Sequence, residues 1–263
     1  MILPSDVIQL RVDPPVATIT LNRPDARNAL TRSMIAELRV ALSDLHAEKR
    51  VRAVVLAARG DAFCVGRDVA ELVPSDDTPA DMQRWGDEAR EYQELLVTML
   101  QLPKPIVAAV QGPALAGGAG LVLACDAAVG TVGADFGFPE PRQGTVAGVA
   151  APLLAFCGGG ALARRLLMLP DPIDAAEAHR LGLYHTLVSP DLVWAQASDW
   201  ARSAAAAAPQ AVGLTKRLLH DTIAEQLMIQ LTSGAAVSAT AMTTESAKEG
   251  LTAKLEEREP EWP

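Results

Sequence analysis

Three stretches of this chain place reactive groups at backbone turns. The first is Gln111-Gly112-Pro113-Ala114-Leu115-Ala116-Gly117-Gly118-Ala119-Gly120, after an apolar run at 106–110 and before Leu121-Val122-Leu123-Ala124 and Cys125-Asp126. The run before it reads as a buried strand and the spacing after it suits a helix, so the glycines lie at a helix N-terminus. Such a turn exposes unpaired N–H groups with a positive dipole end behind them. Its natural guest is a developing oxyanion or a phosphate. A tight turn packed for its own sake fits the same residues. Neither GxxxxGK[ST] nor GxGxxG is present, which weakens the nucleotide-loop readings.

The second stretch, Arg59 through Val69, is another glycine-containing turn after a strand, with Cys64, Val65, Gly66, Arg67 and Asp68 in it. A nucleophilic thiol at Cys64 has no base in local sequence to activate it. The third is Phe136-Gly137-Phe138-Pro139-Glu140-Pro141. Two prolines hold Glu140 in a rigid, non-helical segment beside two aromatic rings. That setting suits a carboxyl with a raised pKa that acts as acid or base; an exposed loop glutamate is the alternative. Arg23 and Arg27, in the loop at 22–30, are either solvated charges or an anion clamp. The four histidines, His46, His179, His185 and His220, have no Ser or Cys partner in a recognisable local signature. No Cys/His cluster has metal-ligand spacing.

The elements that must position these groups alternate between strand and helix. Residues 7–12 and 16–21 read as an opening hairpin or meander, 31 begins a helix with Met34, Leu38, Ala41, Leu42 and Leu45 on one stripe, and 51–57 reads as a buried strand. The acidic, proline-containing 74–79 reads as a mobile surface loop. A helical stripe follows at 81–102 (Trp85, Ala89, Tyr92, Leu95, Leu96, Met99), ended by Pro103 and Pro105. Further on come a strand at 127–129, two short helices within 144–167 broken at Gly158-Gly159-Gly160, a helix capped by Asp174, and a last strand at 184–188. From Asp191 onward the chain reads as helix. The pattern is α/β, with a core at 1–190 and a helical C-terminal region at 191–263.

At 263 residues the chain can bury a full core. A net charge of −9 argues against non-specific nucleic-acid binding, and leaves any anionic ligand to local arginines. The first six residues lack the pattern of a secretory leader, and no run of 18 apolar residues exists, so a cytoplasmic protein without a membrane span is expected. Three widely spaced cysteines, Cys64, Cys125 and Cys157, fit reduced thiols.

Taken together, these stretches resemble the enoyl-CoA hydratase/isomerase (crotonase) family over roughly 16–262. Arg23-Pro24-Asp25-Ala26-Arg27-Asn28-Ala29-Leu30 is similar to its RPxxxNAL loop, and Phe63 through Val69 to its FxAGxDL turn. The stretch from Gln111 to Asp126 is similar to its GxxxGGG…CD block, and Phe136 through Glu140 to FGxPE. Ala175 through Leu183 and Lys248 through Arg258 resemble two of its helices. The resemblance implies a crotonase-like spiral of ββα units with a C-terminal helical trimerisation region, assembled as a homotrimer or dimer of trimers. It implies an acyl-CoA thioester as substrate, with coenzyme A only as part of that substrate. The thioester enolate would be held by the backbone N–H groups of Val65 and Gly117. Arg23, Ala26, Arg27 and Ala29 would contact the CoA moiety. Arg67, Asp68, Val69, Gly118, Gly120 and Pro139 would complete the substrate contacts.

One departure bears on the reaction. Family hydratases carry two glutamates, of which the first falls three residues after the second oxyanion glycine and the other is that of FGxPE. The first position here is Gly120; the second is Glu140. A lone carboxylate can still move a proton from C2 to C4, whereas loss of one acid–base partner costs roughly 100- to 10,000-fold. The expected chemistry is therefore double-bond isomerisation with Glu140 as the catalytic residue. Hydration with a water network or with Asp68 or Asp135 in the missing role is the alternative, as is an inert acyl-CoA binder. Ala147 stands where many members have proline. Lys254 and Glu257 replace the Phe and Lys of the closing helix, the latter putting a negative charge where a neighbouring subunit often contacts the CoA phosphates.

Overall fold

The computed structural model describes residues 6–75, 78–223 and 225–263. Residues 1–5, where most of the leader question falls, lie outside them, as do Asp76 and Asp77 of the expected loop at 74–79. In chain order the elements are β1 Ile8–Asp13, β2 Val16–Leu21, α1 Arg32–Ala47, β3 Ala53–Ala58, α2 Val69–Leu72, α3 Thr78–Gln101 and β4 Ile106–Val110. There follow β5 Ala114–Leu115, α4 Gly117–Leu123, β6 Ala127–Thr131, β7 Phe136–Gly137, α5 Ala150–Met168, α6 Ala175–Arg180 and β8 Thr186–Val188. The chain closes with α7 Val193–Ala206, α8 Pro209–Ile223, α9 Glu225–Ala241 and α10 Glu245–Leu255.

A six-stranded sheet runs in the order β1-β2-β3-β4-β6-β8. Only β1 and β2 pair antiparallel; every later neighbour is parallel. Parallel strands need crossovers, and these make the fold a spiral. On leaving the large sheet, each turn adds a short rung to a second, smaller ladder. Cys64 bridges Ala114, β5 pairs β7, and Phe136 bridges Ile173. Successive coils are thus stacked on each other by backbone hydrogen bonds, including Leu115 N to Cys64 O (2.9 Å) and Ala116 N to Gly137 O (2.9 Å).

The core follows from the stripes. Thr31 caps α1 by accepting from Met34 N at 3.2 Å, and Met34, Leu38, Leu42 and Leu45 are buried. They pack with Ile19, Leu56, Leu95 and Leu121 on one face of the large sheet. The other face lies under α7, whose Val193, Ala197, Ala201 and Ala205 meet Val55, Val107 and Val129. The boundary expected at 190 is therefore not a seam: the first C-terminal helix completes the core. Only α8, α9 and α10 lie beyond the sheet, α9 packing on α3 and α5.

Two local expectations change. Thr78 and Pro79 belong to α3 rather than to a loop, because proline is tolerated in a helix's first turn. The glycines at 158–160 do break a helix, but at one residue: Gly159 has φ 78° and ψ 162° inside α5. That helix is long and apolar enough to cross a membrane by length and composition alone. It is broken at Gly159 and packs one face, with Leu153, Leu154 and Leu166, against the core, while the other face is exposed.

Candidate active site

The small ladder delivers three chemical groups to one place. Each coil leaves its rung and within three residues presents a group: Val65 after Cys64, Gly117 after Leu115, Glu140 after Gly137. Because the rungs are hydrogen-bonded neighbours, the groups are neighbours too. Residues distant in sequence converge through backbone registry, which side-chain patterns do not encode.

The second turn is strained. Ala116 has φ 52° and ψ −124°, a conformation that costs a residue with a β carbon of order 1–3 kcal/mol. It swings the chain from β5 into α4, leaving Gly117 as the first helical residue, whose N–H has no partner inside the helix. Among the described residues neither that amide nor the Val65 amide donates to a backbone or side-chain acceptor. Gly66, at φ 100°, packs on this turn: a β carbon there would lie 3.2 Å from Gly117 N. Gly118 is packed so closely on the Cys64 carbonyl that a β carbon would collide with it. Two free N–H groups at adjoining turns, one at a helix N-terminus, form a suitable cradle for a single anionic oxygen.

Glu140 opens a short 3-10 turn behind Pro139. Its Oε2 is buried without a hydrogen-bond partner, and burial pushes its carboxyl pKa up to about 7. A carboxyl poised there is ionised often enough to take a proton and basic enough to do so well. The Cys64 thiol is fully buried and its pKa is pushed up to about 12, which removes the thiol-nucleophile reading.

These groups line one cavity of about 590 Å³. Ala26, Arg27 and Ala29 line it, as do Val65, Arg67 and Val69, and Gly117, Pro139 and Glu140. Arg27 is exposed and has no ion pair among the described residues. Lys254 and Ala147 also line the cavity. Four expected contacts fall outside the lining. Arg23 is spent on the Asp68 carboxylate (2.5 Å) and the Ala29 carbonyl (3.0 Å), so both charged residues hold the loop rather than face the cavity. Gly118 is packed under Cys64. Gly120 lies behind Tyr92. Asp135 is exposed and, like Asp68, offers no carboxylate to the cavity.

Sequence reasoning passed over the cavity face of α3. Trp85, Glu88, Ala89 and Tyr92 line it, and Trp85 forms an apolar end wall with Met242, Val69 and Leu72. Glu88 is 2% exposed and paired with Arg67 Nη2 at 3.0 Å and with Arg32 Nε at 3.4 Å. Burial raises its pKa against the pull of those arginines. The available signal was a glutamate inside an otherwise apolar helical stripe.

Comparison with known proteins agrees with this architecture. The Enoyl-CoA hydratase/isomerase family profile matches residues 12–263. The chain is 37% identical over 245 residues to a Thermus thermophilus protein that carries an enoyl-CoA hydratase name, covering 93% of this chain and 96% of that one. It is 29% identical over 249 residues to the short-chain-enoyl-CoA hydratase of Clostridium acetobutylicum, covering 92% of each. The crystal structure of an enoyl-CoA hydratase from Mycobacterium avium subsp. paratuberculosis superposes with a TM-score of 0.87 over 99% of this chain and 100% of that one, at 24% identity, which speaks to the fold alone. The chain belongs to the enoyl-CoA hydratase/isomerase family and has the crotonase fold.

Proposed function

We propose that this protein moves the double bond of an enoyl-CoA, using Glu140 as its single acid/base and the Val65 and Gly117 amides as the oxyanion hole. The observation that carries the reading is the buried Glu140 carboxylate, which has no ion pair among the described residues, whereas Glu88 is tied to Arg67 and Arg32 and position 120 is a glycine behind Tyr92. In the forward step the Glu140 carboxylate removes a proton from C2 of a 3-enoyl thioester. The electron pair moves onto the carbonyl oxygen, where the two N–H groups stabilise it; one such donor is worth about 3–4 kcal/mol. Glu140 then returns the proton at C4, the C2–C3 double bond forms, and the carboxylate is restored. Arg27 and Lys254 supply cations against the overall charge of −9. Apolar side chains exposed on α8 and α9, including Leu214, Ile229 and Val237, support self-association through these helices, as expected of a homotrimer or dimer of trimers.

A second reading is favoured by the names of the relatives, which are hydratases. Hydration needs a second proton-handling group, and Glu88 is the buried carboxylate in the cavity wall that could serve. Wild type and Glu140→Ala are compared in D2O with a medium-chain 3-enoyl-CoA, following deuterium at C2 and double-bond migration by mass spectrometry. Migration in wild type that the variant loses supports isomerisation. Wild-type hydration of a 2-enoyl-CoA with no migration would replace it with the second reading. Binding without exchange would leave an inert binder.

A further inference from the structure

Tyr92 lies one helical turn beyond Glu88 on α3 and is 6% exposed. Its hydroxyl donates to the Gly117 carbonyl at 2.6 Å. A β carbon on Gly120 would run into that same hydroxyl, with the ring Cζ at 3.3 Å and the Ala150 β carbon at 3.4 Å enclosing what remains. The phenol also packs against the oxyanion turn: a β carbon on Gly117 would stand 3.5 Å from both Cζ and Oη. One side chain therefore fills the space that a residue at 120 would need and grips the residue that carries a candidate donor.

We propose that Tyr92 sets the reaction specificity of this site: its ring and hydroxyl occupy the seat that a second acid/base group at 120 would take and hold the Gly117 carbonyl, leaving Glu140 to act without a partner at 120 beside a braced oxyanion turn. The inference rests on the single-carboxylate reading above and names the residue that enforces it. Three physical points support it. A β carbon at 120 already meets the phenol oxygen, so any side chain there requires Tyr92 to move. The hydroxyl's one proton is committed to the Gly117 carbonyl, so it has none to give to the substrate. Burial keeps the phenol neutral, its pKa well above the usual range, so it does not act as the missing base. Tyr92 is a positioning residue for Gly117 and a barrier at 120.

The test uses the full chain as Tyr92→Phe, Gly120→Glu and the double variant Tyr92→Ala/Gly120→Glu. Each is assayed for migration of a 3-enoyl-CoA and for incorporation of 18O at C3 of a 2-enoyl-CoA in labelled water. Tyr92→Phe removes one atom. It is expected to keep KM within about twofold, lower kcat for migration about tenfold through loosening of the Gly117 donor, and leave the pH midpoint of Glu140 unmoved. Gly120→Glu alone is expected to gain no hydration, whereas the double variant gains it at least 100-fold over wild type. Unchanged kcat in Tyr92→Phe overturns the clamp. Hydration gained by Gly120→Glu alone, or none in a folded, substrate-binding double variant, overturns the barrier. If the double variant does not fold, Tyr92→Phe and Gly120→Glu still decide the two parts. Wild-type hydration is read separately: it sinks the single-carboxylate reading, while the variants still report on Tyr92.

Discussion

Gly66 and Ala116 meet back to back where two coils of the spiral touch: a β carbon on Gly66 would lie 2.6 Å from that of Ala116. The contact binds the turn carrying Val65 to the turn carrying Gly117, so the spacing of the two N–H groups depends on the missing methyl. Gly66→Ala adds that methyl and forces a side chain onto a φ of 100°. The variant should fold with about 1–3 kcal/mol less stability, and lose about 100-fold in kcat with KM little changed, because donor geometry matters most in the transition state. Chemical denaturation and steady-state kinetics on the same preparation check both numbers.

Glu140 links activity to stability with opposite signs. As a base it must be ionised, so the rate should rise as pH passes through about 7. Its folded pKa lies above the ordinary 4.5, so the folded chain holds its proton more tightly than the unfolded chain. That contribution to stability is fully present below about pH 4.5 and is lost as pH rises through about 7. Glu140→Gln keeps the shape and removes the charge. At pH 8 it should be more stable than wild type by about 3 kcal/mol, each pKa unit being worth about 1.4 kcal/mol, while exchange at C2 is abolished. The stability difference should shrink towards pH 5. Thermal melts of both proteins across pH 5–8 give the comparison.

Asp126, the last residue of the glycine-rich motif block, has a structural partner. Its Oδ2 accepts from Ile106 N at 2.7 Å and from Lys216 Nζ at 2.7 Å, tying the start of β4 to α8. Lys216 also donates to the Met99 carbonyl at 3.1 Å. Lys216→Met should cost about 2–4 kcal/mol, because one partner of a buried pair is removed while the carboxylate stays. The lower end of that range applies since the Asp126 side chain keeps 34% exposure. Activity per folded molecule should be unchanged. A urea titration read beside specific activity separates the two.

The sequence made some of this legible and not the rest, for physical reasons. The turns that carry Val65, Gly117 and Glu140 stand out because turn chemistry is local: glycines and prolines announce backbone constraints within a few residues, while the choice of Val65 and Gly117 as donors rests on the family resemblance. Trp85, Ala89 and Tyr92 read as one core stripe with Leu95, Leu96 and Met99, because periodicity reports which face is apolar but not what lies opposite. The last three meet other helices and the sheet, and the first three meet a cavity. Arg23 carried the same motif weight as Arg27, yet one is spent on Asp68 and the other faces the cavity. The distinction depends on a partner 45 residues away, which spacing cannot supply. Gly120 was visible as a missing carboxylate; that a phenol from another helix closes the gap is a tertiary fact.

Glu88 gives the last discrimination. Its carboxylate lies between Arg67 and Arg32, and Arg67 also donates to the Glu88 backbone carbonyl at 3.3 Å. Arg67 stands two residues beyond Val65, so the ion pair fixes the turn that carries a candidate donor. An anchor of this kind predicts that Glu88→Gln weakens the fold by about 1–3 kcal/mol, since one partner of a buried pair is neutralised while its shape remains. It predicts a raised KM through the loosened Arg67, with kcat for double-bond migration within about fivefold of wild type. A second acid/base group for hydration predicts the reverse split: 18O incorporation at C3 falling by 100-fold or more, with exchange at C2 intact because Glu140 still removes that proton. Running both isotope assays on Glu88→Gln therefore decides whether the buried carboxylate of α3 holds the turn or reaches the substrate; the two arginines paired with it make anchoring the expected result.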